Sequence, residues 1–213
     1  MKISRFEVNP FAENTYILWN ETTCHAIVID PGMMKPTEHE AINAFLTAHS
    51  LKVINVLLTH IHIDHVAGAM QLASENNCEI CASQKDELLN AELQLQAMRF
   101  GLRINAESLV INHYLAEGDT IMLDGEEIKV IETPGHSPGG LSFYAPQSGA
   151  VFVGDTLFEG SIGRTDLLGG NLDTLISSIK TKLFALPDDT MVIPGHGPTT
   201  TIGEEKQYNY YLD

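Results

Sequence analysis

The sequence predicts a layered α/β protein, and three features carry that prediction. Short apolar runs of strand length alternate with segments of helical periodicity. Turn pairs such as Pro31-Gly32 and Asp124-Gly125 separate them, and the most distinctive strands end in loops rich in glycine or histidine. An alternating order of this kind builds sheets covered by helices.

Taken in order, ISRFEV and NTYILWN alternate as strands, and HAIVIDPG is a buried strand closed by its Pro-Gly turn. Residues 36–50 suit a helix, with Pro36 at its start and Thr37 and Glu38 in its first turn. VINVLLTH has strand length, VAGAMQLASENN reads as a helix and CEICAS as a strand. Residues 84–100, QKDELLNAELQLQAMRF, are expected to form one long amphipathic helix ending at Gly101. TIMLDGEEIKVIET contains a hairpin on Asp124-Gly125. LSFYAP and AVFVGD are strands, LDTLISSIKTKLFAL is a helix, and MVIPGHG is a last strand. No linker or low-complexity tract divides the chain. Residues 1–213 are therefore expected to form one domain, with 199–213 as a short C-terminal tail.

Composition narrows the function. The formal charge of −16 repels nucleic acid and anionic membranes, so neither is an expected partner. No apolar run reaches the roughly 20 residues needed to cross a bilayer, and MKISRFEVNP holds no signal-peptide core. Three cysteines, an odd number, fit a reducing compartment. A cytoplasmic location is expected.

The strongest signal is His60-Ile61-His62-Ile63-Asp64-His65. His60 and His62, two apart in a segment leaving a strand, can point the same way and share one metal. Asp64 and His65 follow at a helix start, aimed towards a second. Imidazole and carboxylate suit zinc, iron or manganese. Five of the nine histidines (His60, His62, His65, His136 and His196) sit in such strand-end loops, whereas His25, His39, His49 and His113 are expected to be surface or structural.

The ordered set H-x-H-x-D-H, Pro134-Gly135-His136-Ser137, Gly154-Asp155-Thr156-Leu157-Phe158 and Pro194-Gly195-His196-Gly197 resembles the metallo-β-lactamase superfamily across residues 59–198. GDTLF and GRTD are similar to the glyoxalase II (hydroxyacylglutathione hydrolase) branch, in its short YcbL-like form without the C-terminal helical domain. The resemblance implies a four-layer αββα sandwich with two divalent metal ions, zinc expected and iron or manganese the alternatives. It implies that His60, His62 and His136 hold one metal, that Asp64, His65 and His196 hold the other, and that Asp155 bridges them. The implied activity is hydrolysis of a small-molecule thioester, S-lactoylglutathione foremost, by a metal-bridging hydroxide that Asp64 orients. Zinc β-lactamases generally lack the pairing of His65 with Asp155, so β-lactam cleavage is not expected. A persulfide dioxygenase holding one iron on His60, His136 and Asp155 is the rival reading. A metal-binding protein without catalysis is the third, and the complete ligand set argues against it.

Arg164 is expected to hold the substrate's peptide part, although a surface pair with Asp166 would explain it too. Tyr144 could line the same pocket or pack in the core. Asp30 and Thr59 are candidates to support the ligands. Gly135-x-Ser137-x-Gly139 matches a serine-hydrolase elbow, but no helix follows it, so Ser137 is expected to shape the loop. Cys78 and Cys81, three apart in a strand, should face opposite sides. Beyond Pro198 only Lys206 and three tyrosines could supplement Arg164, so weak affinity for glutathione is expected.

Overall fold

The computed structural model describes residues 1–212. The first sheet contains β1 (Lys2–Val8), β2 (Glu13–Trp19), β3 (His25–Ile29), β4 (Lys52–Leu57), β5 (Glu79–Ala82) and β6 (His113–Tyr114), ordered as in the chain. β1 to β3 pair antiparallel and β3 to β6 parallel. The second sheet contains β7 (Thr120–Leu123), β8 (Glu126–Glu132), β9 (Leu141–Ala145) and β10 (Ala150–Gly154). A two-stranded hairpin, β11 (Leu157–Phe158) with β12 (Ser161–Ile162), follows, and β13 (Met191–Pro194) and β14 (Thr200–Thr201) complete the second sheet in the order β14-β13-β10-β9-β8-β7.

Side-chain alternation along the strands explains the layering. On one face of the first sheet Ile17, Trp19, Ala26, Val28, Val53 and Val56 pack under α1 (Pro36–Ala48), α2 (Ile63–Val66), α3 (Ala69–Asn76), α4 (Glu87–Ala91) and α5 (Leu93–Arg99). On the other face Tyr16, Leu18, Ile27 and Ile29 meet Ile128, Val130, Phe143 and Phe152 of the second sheet. The far face of that sheet, through Val151, Val153 and Val192, packs against α6 (Leu172–Thr181) and α7 (Ile202–Tyr208). Helix, sheet, sheet, helix is the four-layer sandwich. Among the described residues no helix is long and apolar enough to cross a membrane.

Two expectations need correction. The helix expected over 84–100 is broken into a 3-10 turn (Gln84–Asp86), α4 and α5, with Glu92 at φ −106°, ψ 12° between them. The break lets Asp86 and Gln96 turn inward and bond to the loops described below. Residues 199–213 are not a tail as far as they are described. Thr200–Thr201 is an edge strand of the second sheet, and Ile202 is fully buried beneath it. β11, β12 and β6, two residues each, are too short to show periodicity. The Asp124-Gly125 hairpin forms as expected, both residues having positive φ. Cys78 and Cys81 belong to different core clusters on opposite faces of the first sheet.

Candidate metal centre

The functional residues gather where strands of both sheets end. Thr59 to His65 follow β4, His136 follows β8, Asp155 follows β10 and His196 follows β13. Backbone bonds lock these ends together: Leu141 N donates to Thr59 O at 2.7 Å, Gly195 N to Gly154 O at 2.8 Å and Asn14 N to Gly195 O at 2.7 Å. Two glycines are there because nothing larger fits. A Cβ on Gly195 would lie 2.5 Å from Asp155 Oδ1 and from His65 Cε1. Gly135 has φ +135°, and a Cβ there would stand 2.3 Å from the backbone of Leu175 in α6.

Three trios of possible ligand atoms result, each within 4.8 Å of one another: His60, His62 and His136; Asp64, His65 and His196; and Asp30 with His60 and His65. Asp155 lies between the first two. Its Oδ1 is 3.4 Å from His65 Nε2, and its Oδ2 is 3.7 Å from His136 Nε2 and 3.6 Å from His196 Nε2. His60, His62, His65 and His136 are buried.

The protein fixes which nitrogen each ring presents. His65 Nδ1 donates to Asp30 Oδ2 at 3.0 Å, His136 Nδ1 to the Arg164 carbonyl at 2.7 Å and His196 Nδ1 to the Phe11 carbonyl at 3.1 Å. His60 Nδ1 lies 3.0 Å from Thr59 Oγ1, whose hydroxyl donates to Asp30 Oδ2 at 2.6 Å. These four rings therefore turn Nε2 inward. His62 presents Nδ1 instead, 2.9 Å from His136 Nε2. Donation of the outer nitrogen to a carbonyl or carboxylate is how proteins orient imidazole ligands. Asp30 supports the first two trios, directly through His65 and through Thr59 for His60.

The site's chemistry fits cations. His60 Nε2 and Asp155 Oδ1 are buried with no hydrogen-bond partner among the described residues, an arrangement that is costly unless something else satisfies them. Burial, reinforced by the neighbouring imidazoles, pushes His60 well below its ordinary value, and burial with His136 takes His62 down to about 3. Both stay neutral, the form a metal binds. Burial opposes charge on His65, but Asp155 and Asp64 outweigh it and raise its pKa. Burial alone would raise Asp155; the neighbouring His65, with His136 and His196 behind it, holds it well below the usual carboxylate range. Imidazole and carboxylate donors, three or more for each position, suit zinc, iron or manganese.

The pocket over this centre, about 230 Å³, is lined by Phe11, His62, Asp64, Phe100, His136, Asp155, Arg164, Leu167 and His196. Arg164 is therefore at the pocket, but its guanidinium is held bidentately by Asp166, both distances 2.7 Å. Tyr144 is not at the pocket. It lies towards the far end of β9 and packs against the cluster of Val151 and Leu175, because its neighbour Phe143 takes the face between the sheets. Lys206 pairs with Asp188 and lies over Phe184, and neither it nor the tyrosines Tyr208, Tyr210 and Tyr211 line the pocket. Ser137 is fully buried and donates to Asp86, as a loop-shaping residue would.

Sequence reasoning missed three supporting residues. Asp86 accepts from Ile61 N at 3.0 Å, Ser137 Oγ at 3.0 Å and Gly139 N at 2.6 Å, so one carboxylate ties the two histidine loops together. Gln96 accepts from Ile63 N and donates to the carbonyls of Ile61 and Leu89. A polar residue on the apolar face with Leu89, Leu93 and Ala97 was the available signal. Asn9 donates to the carbonyls of Gly32 and Asp64, with only an Asn-Pro turn to mark it.

The model of the metallo-beta-lactamase superfamily matches residues 8–196. The chain is 41% identical to the hydroxyacylglutathione hydrolase GloC of Haemophilus influenzae, over all of this chain and 99% of that one. Among solved structures it is similar to the BLEG-1 B3 metallo-beta-lactamase (TM-score 0.90, 32% identity, 99% of each chain). It is also similar to TTHA1623 in a di-iron-bound form (TM-score 0.86, 37% identity, 98% of this chain and 100% of that one). A third likeness is to ETHE1 from Myxococcus xanthus (TM-score 0.80, 26% identity, 99% of this chain and 84% of that one).

Proposed function

The chain belongs to the metallo-beta-lactamase superfamily of metallohydrolases, and from that premise we propose that it hydrolyses thioesters, S-2-hydroxyacylglutathiones among them, with two divalent metal ions. The observation that carries this reading is the Asp155 carboxylate set between two complete ligand trios. The full-length likeness to a hydroxyacylglutathione hydrolase supports it.

His60, His62 and His136 would hold one metal and Asp64, His65 and His196 the other, with the Asp155 carboxylate between the two groups. When bound, such a pair supplies a hydroxide nucleophile at neutral pH and a Lewis acid for the substrate carbonyl. The remaining work falls to the chain's own groups. Asp64 stands 3.3 Å from His196 and lines the pocket, where its carboxylate can accept a hydrogen bond from an incoming water and orient it. Phe11 and Phe100, edge to face with centroids 5.5 Å apart, give the pocket an apolar wall beside the ligands. Among the described residues no histidine outside the ligand set lines the pocket, so no spare imidazole is at hand as a general acid. A thiolate leaving group needs none, since a thiol's pKa of about 8.5 makes its anion stable enough to depart. This feature of the pocket favours a thioester over an ester or amide.

The likeness to BLEG-1 brings a β-lactam into the same test, and the likeness to ETHE1 brings the mononuclear-iron oxygenase reading. The metal-loaded protein is assayed without oxygen on S-lactoylglutathione and on a chromogenic β-lactam, and in air with glutathione persulfide. Anaerobic thioester cleavage with little β-lactam turnover is expected. No thioester cleavage, with persulfide-dependent oxygen uptake in air, would overturn the proposal.

A further inference from the structure

Beside the metal pocket lies a second cavity of about 160 Å³, lined by Leu89, Glu92, Gln96, Arg99, Leu168 and three residues it shares with the metal pocket, His62, Phe100 and Leu167. The two are thus neighbours, with these three side chains as their common wall. Resting on the thioester reading above, we propose that this cavity is a substrate subsite for an uncharged apolar arm, alkyl or aryl, of about six carbons.

The chemistry of the walls selects that ligand. Leu89, Phe100, Leu167 and Leu168 offer hydrocarbon. Gln96 looks polar but is not available: its oxygen accepts from Ile63 N, and its amide donates to the carbonyls of Ile61 and Leu89. It shows the cavity its stem. The rim carries Glu92 and Arg99, one charge of each sign, so it adds no net preference for an ion. The scale comes from volume, since a cavity of about 150 Å³ accommodates a benzene-sized molecule. The shape is built rather than incidental. Phe100 is held edge to face by Phe11, the turn at Leu167 is closed by Gly170 N donating to its carbonyl at 3.0 Å, and Gly169 is seated against Pro138. Phe100 and Leu168 are left 42% and 39% exposed at the mouth, surface that an apolar ligand would cover.

The arm could belong to the acyl group or to the thiol, and two substrate series tell them apart. One lengthens the acyl chain from acetyl to octanoyl on glutathione. The other lengthens the thiol from methyl to octyl on an acetyl group. In one series kcat/KM should climb by roughly two- to fourfold per methylene up to about six carbons and then stop. Leu168→Asp, at a partly exposed position, should flatten that climb. A flat wild-type response in both series, or a climb that Leu168→Asp leaves intact, overturns the subsite. If no thioester is turned over at all, the hydrolase reading fails separately. The subsite is then judged by calorimetry with S-hexylglutathione against S-methylglutathione. Tighter binding of the hexyl compound, lost in Leu168→Asp, upholds it, and equal binding sinks it.

Discussion

At the scale of single residues, the site depends on groups that do not line its pocket. Asp86 collects three donors from the two histidine loops on one buried carboxylate. Removing it orphans all three. Asp86→Ala is expected to keep the fold but to load less metal, with kcat falling at least tenfold, a cost of about 1.4 kcal/mol or more. Metal analysis beside circular dichroism checks this, and full metal content with normal kcat would refute it. Ser137→Ala removes one donor of the three and should cost only about 1 kcal/mol of stability, with metal retained. Loss of turnover in that variant with metal in place would instead point to a serine nucleophile. Arg164 and Asp166 make an opposed pair of tests. If Arg164 meets the substrate's carboxylates, Arg164→Ala raises KM for S-lactoylglutathione. Asp166→Ala frees the guanidinium and lowers KM, by roughly two- to fivefold, given how exposed the pair is. KM should be high in the wild type, because Lys206 and the terminal tyrosines lie elsewhere.

At the scale of elements, α1 shows a local motif reaching the site. Glu38 accepts from Met34 N at 2.9 Å, Lys35 N at 3.0 Å and Asn9 N at 3.1 Å, and Asn9 in turn holds the Asp64 carbonyl. Burial works against the Glu38 charge, but these amides outweigh it and lower its pKa. A carboxylate depressed in the folded state stabilises above its unfolded pKa and loses that contribution as pH falls through the folded value. Glu38→Gln should therefore cost about 1–2 kcal/mol at neutral pH, with the gap to wild type closing below about pH 4. Thermal melts across pH measure it, and a pH-independent gap would contradict the assignment. Pro36 and Glu38 in the first turn were visible in the sequence, but the bonds of Glu38 to the amides of Met34, Lys35 and Asn9 were not. The break of the 84–100 helix was not visible either, because Leu89, Leu93 and Ala97 keep helical spacing across it and its cause lies in loops far along the chain.

At the scale of the whole molecule, the metal centre joins the two sheets, with Asp64 and three histidines supplied from the first and Asp155 and two histidines from the second. Without cations it leaves buried carboxylates and imidazoles facing one another. Chelation should therefore lower the melting temperature, by roughly ten degrees if metal is present at about a thousand times its Kd. Re-addition of metal should restore it, and an unchanged melt would mean the centre does not bind metal. The sequence by itself determined the layered class, because strand and helix periods follow from which faces must be buried, and it marked the seven polar residues, because histidine and aspartate clustered at glycine-flanked strand ends have few other uses. Only the tertiary structure decided which nitrogen each ring presents, that Tyr144 faces α6 and not the pocket, and that Asp86, Gln96 and Asn9 support the loops. Those outcomes depend on contacts between segments tens of residues apart, and local propensity along the chain carries no information about such distances.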